Sequence, residues 1–247
     1  METNTLYHGD CLELMPQIED HSIDMILCDL PYGVTLGGCK WDVIIPFEPL
    51  WDAYKRIIKP NGVIVLTATQ PFTSLLIVSN LKMFKYCWVW VKSKKSNFTN
   101  VKHQPLRECE DVAVFYNEKP TYNPQGIIHN PKQQKRAKTT GENYFQPATD
   151  DGREYIQEYE NWPSQILKFN SEGKTIHPTQ KPVDLFEYLI RTYTNENELV
   201  LDNCAGSGTT AIASMNTSRK WICIEKDDIH YPNALKRIKK HTPTFGF

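Results

Sequence analysis

Two short segments carry residues whose types and spacing could do chemistry. Asp29-Leu30-Pro31-Tyr32-Gly33 closes an apolar run, Ile23 to Cys28, that reads as a buried strand. In open α/β sheets ligands sit beyond the carboxyl ends of the strands, and Asp29 falls there. Pro31 fixes its own φ and biases Leu30 towards an extended backbone, and Gly33 releases the chain. The product is a rigid loop with one carboxylate, outward carbonyls and one aromatic face. That set suits a planar amine: Asp29 accepts one N–H, the Leu30 carbonyl accepts the other, and Tyr32 stacks on the ring. Taken alone, an ordinary Pro-Tyr turn with a capping Asp explains the same residues equally well.

The second segment is Asp202-Asn203-Cys204-Ala205-Gly206-Ser207-Gly208-Thr209-Thr210. It follows the strand-like Val200-Leu201, and its glycines let the backbone turn tightly and approach a ligand. Thr209 and Thr210 open a helix. Nineteen residues after Gly206 the run Trp221 to Ile224 ends at Glu225-Lys226. That spacing brings an acidic side chain to a ribose diol, so an adenosine-containing cofactor fits. NAD fits less well. The loop departs from GxGxxG, with Ala211 three positions beyond Gly208, and it lies late in the chain.

The elements that must position these loops recur along the chain. Strand-like runs are Thr5–His8, Ile23–Asp29, Gly62–Ala68, Lys85–Val91, Val112–Tyr116, Leu199–Asn203 and Lys220–Glu225. Helical patterns lie at Pro46–Ile58, Pro71–Asn80, Lys181–Tyr193, Gly208–Asn216 and Asp228–Lys240. Buried strands alternating with helices predict an α/β fold, a mostly parallel sheet covered on both faces. Lys85–Val91 and Val112–Tyr116 have no helix between them and read as an antiparallel pair at one edge. Residues 119–174 differ, with Pro120, Pro124, Pro131, Pro147 and Pro163, few apolar runs and the basic cluster Lys132, Lys135, Arg136 and Lys138. They read as an insertion on one core, which divides it into 1–118 and 175–247.

Composition sets the outer bounds. The 247 residues are 40% apolar and 23% charged, with net charge −1, so any nucleic-acid surface must be a local basic patch. No run approaches the roughly 18 apolar residues of a membrane span, and no signal pattern opens the chain, which predicts a cytoplasmic protein without a membrane partner. The 7 cysteines contain no CxxC pair, which argues against a zinc site or a disulfide framework. Cys28, Cys87 and Cys223 read as small core residues.

With both loops in hand, the chain resembles the β group of amino DNA methyltransferases, which use S-adenosylmethionine to methylate adenine N6 or cytosine N4. Ala205 to Thr210 is similar to the family's cofactor loop, and His177-Pro178-Thr179-Gln180-Lys181-Pro182 to its HPxQKP segment. His8-Gly9-Asp10-Cys11 resembles the segment whose Asp contacts the cofactor adenine. Asn61 to Val65 and the Trp90/Lys92 pair match the family's central strand and its WxK strand.

The order of these segments, catalytic loop first and cofactor loop last, implies a circularly permuted, Rossmann-like, seven-stranded sheet with an inserted target-recognition region. The chain ends one helix after Glu225, so the next strand must be Thr5–His8, with Asp10 at the edge shared by Glu225, Asp202 and Asp29. Two positions depart from the family pattern: Leu30 replaces a proline, and Asn203-Cys204 replaces Pro-Phe.

The resemblance implies catalytic roles for Asp29, Leu30, Pro31 and Tyr32. It implies cofactor contacts for Asp10, Asp29, His177, Thr179, Gln180, Lys181, Asp202, Asn203, Ala205, Gly206, Ser207, Gly208, Thr209, Thr210, Glu225 and Lys226. The expected reaction is direct methylation of the N6 amine of a flipped adenine in double-stranded DNA, favoured over cytosine because position 29 is Asp rather than Ser. N4 of cytosine, an RNA base, a protein glutamine, or cofactor binding without turnover are the alternatives. Lys92, Lys94, Lys95, Lys132, Lys135, Arg136 and Lys138 are candidate phosphate contacts, and Arg107 with Glu110 is either a surface pair or a cleft pair. The resemblance leaves open a homodimer and a cognate restriction nuclease.

Overall fold

The computed structural model describes residues 1–33, 42–135, 154–173, 175–177 and 179–241. Their elements run β1 (Thr5–His8), α1 (Cys11–Leu14), β2 (Ile23–Asp29), α2 (Phe47–Ile57), β3 (Ile58–Ala68), α3 (Phe72–Ser79), β4 (Phe84–Ser96) and β5 (Arg107–Phe115). There follow β6 (Ile128–Lys135), β7 (Glu154–Glu160), β8 (Ile166–Phe169), α4 (Val183–Tyr193), β9 (Leu199–Asp202), α5 (Thr209–Asn216), β10 (Lys220–Glu225) and α6 (His230–Lys240).

The strand sequences are apolar at nearly every central position because both faces are covered. In β2, Ile26 and Cys28 enter one core and Met25 and Leu27 the other. In β3, Ile64 and Leu66 alternate with Val63 and Val65 in the same way. The period of two along a strand sends successive side chains to opposite faces. On one face α2 buries Leu50, Trp51, Tyr54 and Ile57, a stripe at helical spacing. An isolated 11-residue helix is marginal in water, so this burial, at roughly 1.5–3 kcal/mol per large side chain, holds it in place. The opposite face is covered by α4 through Leu185, Phe186, Leu189 and Ile190, and α5 packs closely through Ala213.

Among the described residues one eight-stranded sheet has the order β1-β10-β9-β2-β3-β5-β4-β8. The permuted closure expected from the sequence is present: β1 lies parallel to β10, with Thr5 opposite Ile222 and His8 opposite Glu225. The expected antiparallel pair forms between β4 and β5, and β5 is also antiparallel to β3. That pair is not at the edge, however. β8, drawn from the segment read as an insertion, adds parallel to β4 and makes an eighth strand. Its Leu167 is buried among Trp88 and Trp90, and this apolar contact explains why Ile166–Phe169 leaves the polar excursion and joins the sheet.

The chain divides into two compact units, Met1–Asn123 with Gln165–Phe247, and Pro124–Ser164. These bounds are narrower than 119–174, because β8 and the residues after it belong to the larger unit. The smaller unit is built on the antiparallel pair β6–β7, with Ile128 opposite Glu160 and Lys132 opposite Gln157.

The direction of travel across the large sheet reverses between β9 and β2: β9 leads through α5 to β10, and β2 leads through α2 to β3. Such a switch point opens a crevice at the carboxyl ends of the strands. Asp202 ends β9 and Asp29 ends β2, so both loops singled out in the sequence flank it.

Candidate active site

A cavity of about 590 Å³ opens at this switch point. Its lining includes Asp10, Asp29, Leu30, Pro31, Tyr32, His177, Thr179, Gln180, Lys181, Asp202, Asn203, Ala205, Gly206, Ser207, Thr209, Glu225 and Lys226. Gly208 and Thr210, expected to touch the cofactor, are outside that lining and build the loop instead. Gly208 takes a left-handed φ of +74° at the start of α5, and a Cβ there would meet Ile238 at 2.9 Å. Thr210 donates to Asp202, which also accepts the Cys204 N–H at 3.0 Å. The Asp202 carboxylate is therefore spent inside the loop, and burial pushes its pKa up to about 6.

Glu225 ties the far wall to the glycine loop. One oxygen accepts the Gly206 N–H at 2.6 Å and the other accepts the Asp227 N–H at 2.8 Å. Each carboxylate oxygen has a second lone pair, so Glu225 can still accept from a diol. Asp10 caps α1 through the Leu12 N–H at 2.8 Å and pairs with Lys226 at 2.8 Å. The hydrogen bond from Lys226 holds its carboxyl below the usual range. Arg237, on α6, donates to the Ser207 carbonyl at 3.0 Å and to Thr209 Oγ1 at 3.1 Å, clamping the loop from outside the cavity.

The HPTQKP segment forms the third wall; Pro178 lies outside the described residues. His177 stands edge-on to His230 at 4.1 Å, and a Cβ on Gly206 would approach its ring at 3.9 Å. Burial, and then His230, push its pKa down to about 4. Thr179 Oγ1 lies 3.1 Å from His177 Nδ1, and Gln180 accepts the Ile176 N–H at 3.2 Å. Lys181 Nζ donates to Asp29 Oδ2 at 2.7 Å from a side chain only 6% exposed. Burial works against its ammonium, but Asp29 and Glu110 outweigh that effect and keep its pKa above the usual value.

Asp29 has three partners among the described residues. Tyr32 donates to Oδ1 at 2.5 Å, Thr67 donates to the same oxygen, and Lys181 holds the other. Thr67 follows from the register, which sets it opposite Asp29 on β3. The Tyr32 ring stacks on Phe72, with centroids 5.2 Å apart. Leu30 is 4% exposed, so the side chain that replaces the family's proline anchors the loop in the core. Asn203, at the other departure, is 2% exposed and accepts the Tyr54 hydroxyl at 2.5 Å, locking α2 to the cofactor loop.

One basic residue, Lys92, stands elsewhere than expected, while Lys94, Lys95 and Lys132 keep exposed side chains. Lys92 is a partly buried partner of Glu110 at 3.1 Å, not a free phosphate contact, and Glu110 pairs with it rather than with Arg107. Lys95 pairs with Glu108 at 3.4 Å, and Lys94 donates to the Glu172 carbonyl at 3.4 Å. Lys132 pairs with Glu160 at 2.6 Å in the smaller unit. Arg136, Lys138 and the side chain of Lys135 lie outside the described residues. Sequence reasoning missed Thr67, Phe186, His230 and Arg237. Only strand register or helix packing brings them to the site.

The sequence model of the DNA methylase family, which covers N6 and N4 methylation, matches residues 23–236. The chain belongs to that family. A type II methyltransferase of Lactococcus lactis subsp. cremoris, M2.LlaDCHI, is 26% identical, covering 99% of this chain and 92% of its own. M2.MboI of Moraxella bovis, also a type II methyltransferase, is 28% identical over 96% of this chain and 88% of its own. Among solved structures, the M1.HpyAVI–SAM complex has a TM-score of 0.62 at 25% identity, covering 94% of this chain and 98% of its own. PvuII DNA methyltransferase (cytosine-N4-specific) has a TM-score of 0.70 at 16% identity over 99% of this chain and 89% of its own, a likeness of fold. This amino DNA methyltransferase uses S-adenosylmethionine. The cavity fits that group: Asp10 at the start of α1, Asp29 at the end of β2 and Glu225 at the end of β10 line it, as a sulfonium and a ribose diol require, and Gly206 leaves room beside His177.

Proposed function

We propose that this methyltransferase acts on the N6 amine of adenine in double-stranded DNA. The observation that carries the reading is Asp29, a carboxylate at the tip of β2 opening into the cofactor cavity, where a serine would suit cytosine better. Bound S-adenosylmethionine supplies an electrophilic methyl group. Glu225 and Asp10 hold the adenosine end, and the glycine loop with His177, Thr179 and Gln180 surrounds the amino-acid end. Asp29 and the Leu30 carbonyl accept the two amine hydrogens, which raises electron density on the nitrogen and fixes its direction of approach. Tyr32 faces the base plane.

Asp29 is the group best placed to take the proton the amine sheds. No covalent bond to the enzyme is needed. Pro124–Ser164, with its β6–β7 pair, supports a role in target recognition because the rest of the chain is occupied by the core. The type II designation of the relatives supports a place beside a restriction nuclease that reads the same site.

The test is to incubate the protein with methyl-labelled S-adenosylmethionine and plasmid DNA from a methylation-deficient host, then digest and identify the labelled nucleoside. N6-methyldeoxyadenosine is expected; label in N4-methyldeoxycytidine, or only in RNA or protein, overturns the assignment. Asp29→Ala should slow transfer roughly a thousandfold, with cofactor affinity by calorimetry changing less than about threefold.

A further inference from the structure

One partly buried charge near the site has no part in that mechanism. Glu110, on β5, is 15% exposed at its side chain. Lys92 holds its Oε1 at 3.1 Å. Its Oε2 makes no hydrogen bond among the described residues, yet it faces Lys181 Nζ at 3.4 Å. Lys181 thus stands between two carboxylates. It is bound closely to Asp29, which must receive the substrate amine, and loosely to Glu110, whose oxygen has no closer partner.

Lys181 Nζ also lies 5.5 Å from the centre of the Tyr32 ring. The ammonium therefore lies over the ring assigned to the target base, beside the carboxylate assigned to its amine. An ammonium offers N–H donors to the same acceptor as the amine. A partly buried carboxylate oxygen without a donor is costly, so a resident cation satisfies Asp29 Oδ2 while no base is present. The cation must leave when a base arrives, and it needs a second carboxylate within reach.

We propose that Lys181 is a place-holder for the target amine and that Glu110 is the positioning residue that receives its ammonium when the base enters. The inference rests on the assignment of Asp29 as the amine acceptor. Lys92 neutralises one side of Glu110 and leaves the other side for Lys181. Burial alone would raise the Glu110 carboxyl, but the ammonium groups of Lys181 and Lys92 outweigh it and hold it below its usual range, ready as an anion. No bond forms or breaks in this exchange; one ion pair replaces another.

The test is a double-mutant cycle read by steady-state methylation of plasmid DNA from a methylation-deficient host. Glu110→Gln should raise the KM for DNA about tenfold, with cofactor affinity changing less than twofold, because an ammonium with nowhere to go competes with the base. Glu110→Asp, which keeps the charge, should return KM to within about threefold of the parent. In a Lys181→Met background the same Glu110→Gln change should alter KM less than twofold, since no ammonium remains to be moved.

An unchanged KM in Glu110→Gln overturns the proposal. So does an equal rise in both backgrounds, which is what a merely structural loss around Lys92 would give. If Lys181→Met fails to fold, Lys181→Gln serves as the background, and failure of both leaves the Glu110→Asp rescue to decide. A parent enzyme that labels no nucleoside overturns the methyl-transfer reading itself, whereas label on cytosine leaves the roles of Lys181 and Glu110 standing.

Discussion

At Asp29 a half-buried carboxylate shares its two oxygens among a phenol, a hydroxyl and an ammonium, so its position is over-determined before any substrate arrives. Such preorganisation is what makes a hydrogen-bond acceptor useful in a transition state. Asp29 and Tyr32 were legible as a pair from residue type and the Pro31 turn. Thr67 and Lys181 were not legible as their partners, since they arrive from 38 and 152 residues away.

His177 supplies a prediction at the same scale. Its pKa falls from 6.5 to about 4 in the fold, through burial and then the neighbouring His230. Between those two values the unfolded chain takes up a proton that the folded chain refuses. Stability is therefore fully present above pH 6.5 and falls as the pH drops towards 4, by up to about 3 kcal/mol. His177→Gln should flatten that part of the profile in urea unfolding at successive pH values. A profile as steep as the parent's would place the titration elsewhere.

The helices and strands do their work mostly at their ends. The start of α5 depends on Gly208, whose left-handed backbone turns the chain out of the loop while Ile238 of α6 closes over it. Gly208→Ala combines a positive φ with a close contact and should cost about 2 kcal/mol. A lowering of Tm by roughly 4–8 °C in calorimetry is expected; an unchanged Tm would mean that α6 moves aside freely.

The same packing shows why element boundaries were readable and some functions were not. The apolar pattern located β2 and β10 to the residue, because each buries both faces, and located β1 as well, although at the sheet edge only its Leu6 is buried. It passed over β8, a strand of 4 residues whose hold on the sheet is Leu167 against Trp88 and Trp90. It also assigned Lys92 to phosphate, because a lysine late in a strand looks solvated until its antiparallel neighbour brings Glu110 beside it.

Across the whole molecule the two ends of the chain complete one binding site. The strand β1 lies parallel to β10, and Asp10 reaches Lys226 at 2.8 Å across 216 residues. A ligand held by both ends should stabilise the fold as a unit. S-adenosylmethionine at a hundredfold excess over its Kd should add about 2.7 kcal/mol, a rise in Tm of roughly 5–11 °C in a thermal-shift assay. NAD should give none, and an equal rise with NAD would count against the cofactor assignment. The order of motifs, the strand periodicity and the two loops belong to the sequence by itself, because turn chemistry and hydrophobic alternation are local. The order of the catalytic and cofactor loops also pointed to the permutation, which the pairing of β1 with β10 bears out. What tertiary structure alone decided is which charges meet. Asp29, Lys181, Glu110 and Lys92 come from four segments, and ion pairing depends on distance in space and exclusion of water, neither of which is written in the order of residues.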